Sequence, residues 1–112
     1  MSLEHFITEK GVIVISLNDR LDARSAADVQ RQIDEIVANN HGSVLLDCGN
    51  TVYVSSAGLR VFISTSKWLK LRQRKMAICC LRESVLEVFG ISGFTSIFDI
   101  FSTREEGLAK IS

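Results

Sequence analysis

The chain has 112 residues, 46% of them hydrophobic and 23% charged, a balance that fits one compact domain over residues 1–112 rather than a disordered tail. Its 13 basic and 13 acidic side chains cancel, which removes the electrostatic footprint of a protein that tracks nucleic-acid phosphates or acidic membranes. No apolar run reaches the ~18–20 residues that cross a bilayer, and the three cysteines, Cys48, Cys79 and Cys80, cannot all pair with one another. Buried free thiols and a cytoplasmic home are therefore expected.

In chain order, His5 to Thr8 reads as a short strand that Lys10-Gly11 turns back into "GVIVISL" (Gly11 to Leu17), a β-branched apolar strand between turn-formers. The period then changes. Ala26, Val29, Ile33, Ile36 and Val37 fall on one helical face, capped either by Asp22 or by Ser25 with Asp28, and Asn39-Asn40 and Gly42 end it. "SVLLDC" (Ser43 to Cys48) has the composition of a buried strand. From Leu59 a second helical face runs through Phe62, Ile63, Ser66 and Leu69 and closes among basic residues, Lys67 to Lys75, as the helix dipole favours. "MAICCL" reads as another buried strand, Ser84 to Ile91 as a short helix stopped at Ser92-Gly93, "SIFDIF" as a last strand, and Thr103 to Ile111 as a terminal helix. Strands alternating with about four helices after an initial hairpin predict an α/β domain with a mixed sheet.

Between the third of these strands and the second helix lies "VYVSSAGLRVF", Val52 to Phe62. A helix starts with N–H groups that lack intrahelical partners, and one serine oxygen at the cap satisfies one of them. If Ser55 caps, Ser56 becomes the first helical residue, with its hydroxyl available at the positive end of the helix dipole. Ala57 and Gly58 leave the backbone around it uncovered. A phosphate on Ser56 would meet exposed N–H groups and a favourable dipole, so the site could take about two negative charges without unfolding. A doubled cap-and-turn serine that is never modified is the competing reading.

"LLDCGNTVYVSSAGLRVF" resembles the signature region of STAS domains of the anti-sigma factor antagonist (anti-anti-sigma factor) family: a strand ending in Asp, a loop, an aromatic-aliphatic pair, serine, a small residue, then Gly-Leu opening a helix. The resemblance extends upstream through "LNDRLDARSA" and downstream through "VLEVFGISGF", so it covers nearly the whole chain. It implies a single STAS-like domain acting as a switch: unphosphorylated, it binds an anti-sigma factor and frees a sigma factor. The anti-sigma factor is often an ATP-dependent serine kinase, and a metal-dependent serine phosphatase reverses its action. The resemblance carries the phosphoacceptor to Ser56 and the upstream loop aspartate to Asp22. Many members have Asp-Ser-Ser-Gly, where this chain has Ser55-Ser56-Ala57-Gly58; the acidic neighbour is missing and the second serine is alanine.

A hydrolase is a poor reading, because no glycine stands two residues before either serine and the two histidines, His5 and His41, fall in terminal and turn positions. Neither histidine has a cysteine at metal-ligand spacing, so no metal and no cofactor are expected. The second functional class is an unphosphorylated STAS interaction module of a transport system or sensory assembly, with Ser56 as a docking residue. Val61 and Trp68 lie off the Leu59 face, which predicts either a partner surface next to Ser56 or a second helix covering them. Asp22, at the other strand-to-helix junction, is expected on the same edge.

Overall fold

Val12, Val14, Ile13 and Ile15 are all buried, yet they serve two different cores, and that division organises the molecule. The computed structural model describes residues 2–112. Strand β1 (His5–Ile7) turns through Gly11 into β2 (Ile13–Ser16), and the two pair antiparallel with Phe6 opposite Val14. The chain continues through β3 (Arg20–Leu21), α1 (Ala26–Ala38), β4 (Val44–Asp47), β5 (Tyr53–Val54), α2 (Ser56–Leu71) and β6 (Met76–Cys79). It finishes with α3 (Glu83–Ile91), a single 3-10 turn (Phe94–Ser96), β7 (Asp99–Phe101) and α4 (Arg104–Ile111). The main sheet has the order β1-β2-β4-β6-β7, and every pair except β1-β2 is parallel.

Because successive strand residues point to opposite faces, Ile13 and Ile15 join Leu46 and Ile78 in a core closed by α1, α2 and α3, whereas Val12 and Val14 join Leu45, Ala77 and Cys79 under α4. Parallel strands covered on both faces read as unbroken apolar runs, which is why the sequence marks β2, β4 and β6 so clearly. The larger core ends in a cluster of phenylalanines: Phe62 meets Phe89 edge-on at 5.2 Å, and Phe98 lies 6.3 Å from Phe62 and 5.7 Å from Phe94. Helix α4 is started by a reciprocal cap in which the Glu106 N–H donates to Thr103 Oγ1 and the Thr103 N–H donates to Glu106 Oε1, both at 3.1 Å.

Four α-helices and a mixed sheet match the expected architecture. The segment from Ser96 to Phe101 is the main departure: only Asp99–Phe101 is strand, because Phe94–Ser96 winds into the 3-10 turn that brings Phe94 and Phe98 onto Phe89. The three cysteines are unpaired; Cys48 and Cys79 are buried and Cys80 is half-buried. Burial pushes the Cys48 and Cys79 thiols well above the usual range, so both stand protonated at neutral pH. Among the described residues no helix is long and apolar enough to cross a membrane.

Candidate functional site

Two strands of two residues each, too short to carry a periodic signal, build the frame of the site. β3 and β5 pair parallel, Arg20 opposite Tyr53 and Leu21 opposite Val54, beyond the ends of β2 and β4. The ladder is tied by the Val52 N–H to the Asp19 carbonyl at 2.7 Å, the buried Thr51 hydroxyl to the Asn18 carbonyl at 2.7 Å, and the Ser55 N–H to the Leu21 carbonyl at 3.0 Å. Each strand runs directly into a helix start, so the junction holding Asp22 and the junction holding Ser55 and Ser56 lie side by side.

At the second junction Ser55 has extended backbone (φ −95°, ψ 179°) and its Oγ accepts from the Gly58 N–H at 3.4 Å, while its carbonyl accepts from Leu59 at 2.9 Å. Ser55 is therefore the cap. Ser56 is the first helical residue, is exposed, and its hydroxyl has no hydrogen-bond partner among the described residues. The run of small residues has a steric cause: a Cβ on Gly58 would lie 2.2 Å from the Leu21 carbonyl oxygen and 3.0 Å from its carbon. Glycine lets α2 start against β3, and that close approach is what sets Ser56 beside the Asp22 junction. Ala57 is half-buried.

At the first junction the polar groups close on one another. Asp22 Oδ1 accepts from the N–H groups of Arg24 (3.0 Å) and Ser25 (3.3 Å), and Ser25 Oγ accepts in return from the Asp22 N–H at 3.1 Å while donating to the Arg20 carbonyl at 2.7 Å. This is a capping box with serine in the reciprocal position, so Asp22 rather than the Ser25–Asp28 pair starts the helical turn. Asp28 instead binds the Arg31 guanidinium and, at 2.8 Å, the Gln32 amide. The backbone hydrogen bond from Arg24 leads in holding the Asp22 carboxyl below the usual carboxylate range, with help from Ser25 and from the Arg20 guanidinium 3.6 Å away.

Val61 does not belong to an exposed surface. It is only 3% exposed, within the larger core, because α1 packs along α2 and covers that side; Gln30 of α1 donates to the buried Thr65 of α2 at 3.3 Å. The buried face of α2 runs through Gly58, Leu59, Val61, Phe62, Thr65 and Leu69, with Ile63 partly buried against the same core, so it keeps Leu59, Phe62 and Leu69 of the expected face and widens it toward Val61 and Thr65. Trp68 is half-buried: it packs against the core with the Arg72 guanidinium 3.6 Å above its ring and that of Arg74 at 5.5 Å. Arg74 in turn donates to the Val37 and Gly42 carbonyls, which locks the end of α1 to the end of α2. These contacts give Trp68 a structural task.

The apolar surface next to Ser56 comes from residues that the sequence did not single out. Val52 and Tyr53 are 45% and 43% exposed, and the Arg20 guanidinium stacks 4.6 Å from the Tyr53 ring centre. A two-residue strand cannot show alternation, so only the aromatic in "VYV" hinted at them. Both histidines are exposed and neither bonds Ser56. Among the described residues the serine has no hydrogen-bonded base that would make it a nucleophile; it is an open hydroxyl at a helix start, on the same edge to which the β3–β5 ladder brings Arg20, Asp22, Val52 and Tyr53.

An α/β domain with a short second ladder setting two helix starts side by side is a STAS domain: the family model of that name matches residues 6–107, and the chain belongs to this family. Among relatives, it is 35% identical over 99 residues to BtrV of Bordetella bronchiseptica, whose name gives it as a candidate anti-sigma factor antagonist, covering 88% of this chain and 85% of that protein. The anti-sigma-B factor antagonist of Listeria monocytogenes is 30% identical over 95 residues, covering 84% of this chain and 82% of the relative. Among solved structures, the phosphorylated form of the Bacillus cell fate determinant SpoIIAA superposes with a TM-score of 0.73 at 15% identity, over 99% of this chain and 100% of that one, and bears on the fold alone.

Proposed function

We propose that this protein is an anti-sigma factor antagonist whose partner binding is switched by phosphorylation of Ser56. The observation that carries the reading is the division of labour between adjacent serines: Ser55 occupies the cap, and Ser56 is exposed with an unoccupied hydroxyl at the mouth of α2. The names of the relatives support the choice of partner. Unphosphorylated, the face formed by Ser56, Ala57, Asp22, Tyr53 and Val52 binds an anti-sigma factor of the serine-kinase type, which then releases its sigma factor. The kinase transfers the γ-phosphoryl group of ATP to the Ser56 oxygen, whose proton leaves to solvent, and a serine phosphatase restores the hydroxyl by hydrolysis. The helix start stabilises the dianion, whereas a close-packed partner would have to desolvate it, so the modification blocks the interface without melting the fold. The setting of this cycle is the cytoplasm.

The test is a binding comparison. Ser56→Glu should keep the native circular dichroism and a melting temperature within a few degrees of wild type while losing the anti-sigma factor. Retained binding, or global unfolding of the variant, contradicts the reading.

A further inference from the structure

A second cluster of chemically active groups lies at the ends of β4 and β6, built from residues that the Ser56 junction does not use. Cys79 is the last residue of β6, paired with Asp47, the last residue of β4, and Cys80 follows directly. In a regular strand, adjacent side chains point to opposite faces, so neighbouring thiols diverge. Here they converge, because Cys80 leaves the strand with φ +65°, a left-handed conformation that residues with a Cβ rarely adopt. As a result one Asp47 carboxylate oxygen and the Cys79 and Cys80 sulfurs all lie within 4.8 Å of one another.

We propose that Asp47, Cys79 and Cys80 bind one thiophilic divalent cation of the zinc type. A cation of this kind sits about 2.3 Å from sulfur and about 2.0–2.2 Å from a carboxylate oxygen, so donor atoms that share it in a tetrahedron lie roughly 3.6–3.8 Å apart, a spacing that donors already within 4.8 Å of one another reach by small side-chain rotations. Two sulfurs and one oxygen suit zinc rather than magnesium or calcium, and solvent supplies the fourth ligand on the side where Cys80 and Asp47 are half-buried. The carboxyl ends of parallel strands are also where α/β sheets hold their ligands. Gly49 keeps the approach open: a Cβ there would stand 3.1 Å from Asp47 Oδ1 and 3.7 Å from the Cys80 Cβ. Asp47 also accepts from Arg104, at 3.0 Å from Nε and 2.6 Å from Nη2, and from the Gly49 N–H at 2.9 Å. Arg104 is thus the internal competitor, a positive charge in the place the cation takes. On binding, the two thiol protons leave to solvent and metal–sulfur bonds form, with no change of oxidation state.

The test uses the full chain with its thiols reduced, titrated with Cd(II) as the probe and followed by the ultraviolet sulfur-to-cadmium charge-transfer band. One equivalent should saturate the band while the far-ultraviolet circular dichroism stays native. Cys80→Ser and Asp47→Asn, both at half-buried positions, should each weaken binding by roughly tenfold or more. Cys48→Ala, whose thiol packs in the other core, should leave the affinity unchanged, and Arg104→Ala should raise it by removing the competitor. The proposal is overturned by a band that survives Cys80→Ser, by equal losses in Cys48→Ala and Cys80→Ser, by weaker binding in Arg104→Ala, by a band that grows only as the fold is lost, or by no band at all.

Discussion

The two strand-to-helix junctions of this domain start from the same geometry and end in opposite chemical states. At the β3-to-α1 junction, Asp22 and Ser25 satisfy each other's backbone groups and Arg20 pairs with the carboxylate, so the polar groups form a closed set. At the β5-to-α2 junction a single long cap bond from Gly58 to Ser55 does the structural work, and the next hydroxyl is left open. The closed junction fixes where α1 begins and, through Leu21, where α2 can sit; the open one leaves the Ser56 hydroxyl exposed, the position proposed to take the phosphate. A helix start can be stable and chemically available at once when two adjacent residues divide the roles.

The largest effect on this comparison should come from Gly58→Ala. The added methyl would fall 2.2 Å from the Leu21 carbonyl oxygen, a backbone atom with no rotamer to escape into, so the two junctions must separate. A destabilisation of about 3 kcal/mol by chemical denaturation is expected, together with weaker anti-sigma factor binding in the folded fraction. Next comes Trp68→Ala, which strips the platform on which Arg72 and Arg74 stack. For a half-buried tryptophan a loss of about 2 kcal/mol is expected, with partner affinity unchanged once folding is allowed for, because the residue belongs to the α1–α2 contact and not to the open junction.

Ser55→Ala should cost about 1 kcal/mol or less, since the bond it removes is already long, and should leave Ser56 reactive. The smallest and most conditional effect belongs to Asp22→Asn. The Asp22 carboxyl titrates lower in the fold than its ordinary value near 3.8, so the charged form favours folding. That contribution is fully present above about pH 4 and is lost as pH falls through the lowered folded value. The variant should therefore melt slightly below wild type at neutral pH, and the gap should close in strong acid.

Much of this was readable in the amino-acid order, for identifiable reasons. β2, β4 and β6 announce themselves because two cores demand apolar residues at every position. The assignment of Ser55 as cap followed from the need of a helix start for one oxygen and not two. What stayed hidden depended on contacts between distant segments. β3 and β5 are defined by pairing with each other, so Tyr53 and Arg20 could not be seen as neighbours. Val61 looked outward because a single helical wheel assumes one buried face, whereas α2 is covered by the sheet and by α1 together. Cys79 and Cys80 read as two positions of a strand, and only the turn at φ +65° brings them together.

The central claim is that Ser56, and not its neighbour, is the reactive hydroxyl, and mapping the phosphate tests it most directly. Wild type, Ser55→Ala and Ser56→Ala should be incubated with ATP and the anti-sigma serine kinase of the same cell, and any modified residue located by mass spectrometry. The account predicts one phosphate on Ser56 in wild type, the same phosphate in Ser55→Ala, and none in Ser56→Ala. Labelling that persists in Ser56→Ala, or that maps to Ser55, would contradict it.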